Sequence, residues 1–145
     1  MAHELGHYVL NHIYKIIIML GLVLAIGFAC VQWAFDRVNA RLGEHWGVRG
    51  AGDTAALPLL AALFSVYLFA MTPLVNTIIR SQEVEADLFG LNAAREPDAF
   101  AEVALKLSEY RKMDPGPIEE FLFFDHPSGR NRIFAAMRWK AETIR

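Results

Sequence analysis

Two unbroken apolar stretches dominate the pattern of the chain. Ile16 to Phe35 reads IIIMLGLVLAIGFACVQWAF, about 20 residues with one amide, Gln32, and no charge. Lys15 and Asp36 bracket it and Trp33 lies near one end, as in a membrane span with an interfacial aromatic. Leu57 to Ile79 is again uncharged and roughly 23 residues long. Pro58 suits its start, and Pro73 predicts a kink, with Thr72, Asn76 and Thr77 at hand for the freed backbone groups. Soluble core helices of this length normally carry a polar stripe, which neither stretch has. The first stretch does not fit a signal peptide, because it starts late, lacks a small-residue cleavage site and is followed by a second stretch. Residues 36–56 read as a polar loop. Beyond Ile79 the pattern turns polar and helical. Helices are expected from Ser81 into Ala93–Ala94, from Pro97–Asp98 to about Lys112, and from near Ser128, with Asp114 to Pro117 as a loop. With no strand pattern, the expected fold is all-α and membrane-helical. A short helix over 1–15, spans at 16–35 and 57–79, and a helical tail over 80–145 would form one catalytic region.

Composition sharpens this. Of 145 residues 54% are hydrophobic and 21% charged, which excludes intrinsic disorder. A mean hydropathy of +0.27 argues against a simple soluble globule. The net charge of −2 gives no electrostatic case for a nucleic-acid partner. Cys30 stands alone, so there is no internal disulfide.

The chain opens with His3-Glu4-Leu5-Gly6-His7, a His-Glu-x-x-His motif. On a helix the two histidines differ by about 40° and project from one face, so both can ligate one Zn²⁺, with Glu4 beside them for the water proton. A third ligand is required. The metzincin positions hold Leu10 and Ile13, which excludes that class. His12 lies nine residues beyond His3, on the opposite face of a continuous helix, and reads as structural or interfacial. Downstream acids are Glu83, Glu85 and Asp87. Glu83 and Asp87 share a helix face, which suits Glu83 as ligand and Asp87 as acceptor of a ligand histidine's free N–H. An ordinary acidic helix start fits the spacing equally well. A further cluster, Asp125-His126-Pro127-Ser128-Gly129-Arg130-Asn131-Arg132, could support an oxyanion, or simply start a surface helix.

Taken in order, His-Glu-x-x-His, an apolar hairpin, Arg-x-x-Glu-x-x-Ala-Asp over Arg80–Asp87 and His-Pro-x-x-x-x-Arg-Ile over His126–Ile133 form a familiar series. The chain resembles, over essentially its whole length, the integral-membrane zinc metallopeptidases (gluzincins) typified by CAAX prenyl protease 1. Residues 117–133 and 46–50 are similar to bacterial members. The resemblance implies one zinc per chain held by His3, His7 and Glu83, with Glu4 as general base. Asp87 would support a ligand histidine, and His126 and Arg132 would assist substrate binding and the oxyanion. It also implies a bacterial inner or plasma membrane location with the site on the cytoplasmic side, and a peptide or membrane-protein substrate. Family members carry further N-terminal transmembrane helices. Here Met1 stands two residues before the first ligand, so the chain reads as a C-terminal catalytic fragment whose partners include that missing part and the lipid bilayer. Two alternatives share the motifs: a heat-shock protein X-type quality-control protease, and an inactive zinc-binding membrane scaffold. A site-2-type protease needs an acidic ligand in a later span, and the second stretch has none.

Overall fold

In the computed structural model, residues 1–108 and 112–144 are described. Six α-helices follow in order: α1 (Ala2–Val9), α2 (His12–Trp46), α3 (Leu57–Ala94), α4 (Pro97–Leu107), α5 (Pro117–Phe123) and α6 (Gly129–Thr143), with a 3₁₀ turn at Thr54–Ala56. No strand occurs among the described residues. α2 and α3 are long and apolar enough to cross a membrane. The chain divides into two units, one of Met1–Ile17 with Pro73–Arg145 and one of Ile18–Thr72.

Within the second unit, α2 and α3 are held together at Gly27. A Cβ there would lie 2.5 Å from the Tyr67 ring, and its absence lets Tyr67 donate through its hydroxyl to the Val23 carbonyl at 2.6 Å. Phe28 stacks on Phe64 at 5.6 Å. Much of the expected loop is helix, because α2 runs to Trp46 and ends in a Schellman motif. Gly47 takes φ +68, Val48 N–H donates to Gly43 O at 2.8 Å and Gly47 N–H to Glu44 O at 3.3 Å. Val48 then packs with Phe35 and Ala56. Asp53 caps the 3₁₀ turn by accepting from Ala55 N–H.

In the first unit two expectations are corrected. The motif helix does not run straight into the apolar stretch. It stops at Val9, and Asn11, at φ 56, turns the chain before α2 starts at His12. Asn tolerates this left-handed conformation better than most residues. α3 is not divided near Ile79. It continues to Ala94 through the change of composition, because no Gly or Pro interrupts residues 74–89. Arg95, at φ 55, ends it, and Pro97 starts α4. The expected extension of α4 towards Lys112 falls partly on residues 109–111, outside the described residues. α4 and α6 pack around Leu91, Ala136 and Trp139, with Phe100 and Ala101 alongside. Trp139 donates its indole N–H to Asn92.

Candidate metal centre

α1 carries His3 and His7, and α3 carries Glu83 and Asp87. The two helices meet through glycines. A Cβ on Gly6 would lie 3.1 Å from Phe89, and one on Gly90 would lie 3.2 Å from the backbone nitrogen of His3. This close approach brings the motif to the acids. His3 Nε2 and His7 Nε2 are 3.1 Å apart, and each lies 3.4 Å from one Glu83 carboxylate oxygen. Among the described residues these three form a group able to hold a metal ion. Zinc bonds of about 2.0–2.1 Å in a tetrahedron put neighbouring ligand atoms about 3.3–3.4 Å apart, so the donor set fits.

Asp87 reaches the outer nitrogen of His3. Its Oδ1 is 2.8 Å from His3 Nδ1, close but poorly aligned for a hydrogen bond, so the contact is better described as an ion pair. Arg132 grips the same carboxylate with two N–H groups, at 2.8 and 2.5 Å, and its guanidinium lies over the Phe100 ring. Without metal, Asp87 first and Glu83 second raise the His3 pKa to about 9. Burial lowers that of His7. Glu4 is exposed and borders, with His3, Glu83, His126 and Arg132, a cavity of about 610 Å³ whose far wall is Leu91, Phe100, Val103 and Leu107.

His126 arrives from the segment between α5 and α6, with Nε2 3.5 Å from Glu83 Oε2 and Nδ1 2.8 Å from Asp125 Oδ1. Arg80 holds that segment by donating to the carbonyls of Glu120 and Phe124, the exposed end of α5. Asn76 donates to Leu122 O. On the far side Ser128 caps α6, and Glu120 accepts from its N–H at 2.9 Å. The sequence reading found neither α5 nor the role of Arg80, although Pro117 behind Gly116 is a helix-start signal.

His12 also departs from expectation. The turn at Asn11 folds it back towards His7, where it is 2% exposed. Its Nδ1 is 3.0 Å from His7 Nδ1 and its Nε2 3.1 Å from Glu85 Oε2.

The family model for peptidase family M48 matches residues 1–140. This chain belongs to peptidase family M48. It is similar to the uncharacterized metalloprotease YhfN of Bacillus subtilis (strain 168), with 34% identity over 135 residues. The match covers 92% of this chain and 32% of YhfN, so the chain spans about a third of that relative's length. No solved structure matches it.

Proposed function

We infer that this M48 chain is a zinc-dependent membrane metalloendopeptidase of the CAAX prenyl protease-like type, acting on peptides or membrane-protein segments. The observation that carries this is the triangle of His3, His7 and Glu83 donor atoms at 3.1–3.4 Å, of which His3 and Glu83 line one cavity together with Glu4. Zinc held there would supply a Lewis acid that makes water a competent nucleophile near neutral pH. Glu4 takes the proton from the attacking water and returns it to the leaving amine. His126, on the cavity wall beside Glu83, donates to the developing oxyanion. Arg132 holds the Asp87 carboxylate beside His3 and also lines the cavity, where the expected help to the oxyanion would be given. The apolar wall receives a substrate side chain.

Membrane insertion is supported by the faces of α2 and α3. Only 17% and 6% of their most apolar windows are buried, and Ile18, Phe28, Val66 and Phe69 are among the exposed side chains. Apolar area of that extent is not left to water. A bacterial plasma membrane, with the site on the cytoplasmic side, is the location in keeping with the family resemblance.

The test is hydrolysis of an unstructured protein substrate by zinc-loaded protein in detergent. Glu4→Gln should keep one zinc per chain and lose about 10²–10⁴-fold in turnover, the usual worth of a positioned base. Unchanged turnover in that variant defeats the reading. Zinc binding without hydrolysis in the unaltered protein favours the inactive scaffold.

A further inference from the structure

His12 is a buried histidine that the mechanism above does not use. Its side chain is 3% exposed, and both ring nitrogens have partners. Nδ1 meets His7 Nδ1 at 3.0 Å, and Nε2 meets Glu85 Oε2 at 3.1 Å. Glu85 also accepts from Lys15 Nζ at 3.2 Å, so its carboxylate is fixed from two sides.

The proton inventory of this chain of contacts has one solution with neutral rings. An ionised carboxylate only accepts, so His12 carries its proton on Nε2 and donates it to Glu85. His12 Nδ1 is then a bare acceptor. Only one proton fits between two facing Nδ1 atoms, so it belongs to His7. A His7 ring protonated on Nδ1 leaves Nε2 as a free lone pair, and Nε2 is the nitrogen facing His3 and Glu83. On the other side, Asp87 Oδ1 lies 2.8 Å from the outer nitrogen of His3, Nδ1. We propose that His12, held by Glu85 and Lys15, is a positioning residue that fixes the tautomer and ring orientation of His7 for metal binding. The left-handed turn at Asn11 makes this possible, because on a continuous helix His12 would lie about 140° from His7.

This inference rests on the metal-site reading, and the experiment separates the two. Zinc affinity of the detergent-purified protein is measured by chelator competition for the unaltered chain and for His12→Phe, His12→Gln and Glu85→Gln. Loss of an outer partner of a metal ligand costs about 10–100-fold in affinity, so His12→Phe should weaken binding by that amount. His12→Gln should recover most of it, because an amide can accept from His7 and donate to Glu85. Glu85→Gln, at a half-exposed position, should give a smaller loss in a folded protein. Long-range proton–nitrogen spectra of the histidine-labelled, zinc-free protein give an independent readout and should place the His7 proton on Nδ1. Zinc bound tightly by the unaltered chain and equally by His12→Phe, or a His7 proton on Nε2, overturns the role of His12 alone. An unaltered chain that binds no zinc overturns the metal site as well.

Discussion

His3 shows how much one contact decides. Held by Asp87 and Glu83, its metal-free pKa of about 9 lies above the ordinary 6.5. Folding therefore takes up a proton. The stabilisation it brings is complete below about pH 6.5 and is lost as pH rises through 9. Metal has the opposite preference, because it binds only the neutral ring. Apparent zinc affinity should thus climb with pH, by up to about tenfold per unit, and level off near pH 9. Titration with a metal buffer from pH 6 to 10 checks this, and Asp87→Asn, which removes the largest cause, should flatten the climb. A flat profile in the unaltered protein would show that His3 is not the competing group.

For the helices, the decisive feature is the glycine contact between α1 and α3. Filling Gly90 with valine pushes against the backbone of His3 and should cost about 1–3 kcal/mol through overpacking. Zinc affinity should fall with it, because the two ligand-bearing helices separate. Gly52→Ala, with open space around it, should change neither. Thermal unfolding and metal competition on the two variants would decide it, and equal behaviour would remove the glycine contact from the account. The same scale explains what was legible in the sequence. His3, His7, Glu83 and Asp87 could be paired from spacing because each pair lies within one regular helix. His12 could not, because its position depends on a single left-handed residue, Asn11, and periodicity carries straight through such a break. The end of α2 was readable at Gly47, a C-terminal glycine signal that the polar composition of residues 36–56 obscured. Arg80 escaped notice because its partners are carbonyls of a helix some 40 residues away, which leave no trace in side-chain pattern.

Across the whole molecule, the two helices long and apolar enough to cross a membrane were the most legible feature, since they need only length and apolarity. The protein should stay in the membrane pellet through alkaline carbonate extraction, and release into the supernatant would count against spanning helices.

One consequence follows from the continuity of α3. Glu83 comes four residues after Ile79, the last residue of the apolar stretch, on the same unbroken helix. Four residues rise about 6 Å. In a bilayer, α3 would therefore act as a depth gauge, tying the candidate metal centre to within about one turn of the hydrocarbon edge. Reach would then select substrates before chemistry does. If the centre hydrolyses peptides as proposed, a tail emerging from the lipid would pass it at once, whereas a folded protein in bulk water would first have to send a loose end down to the surface.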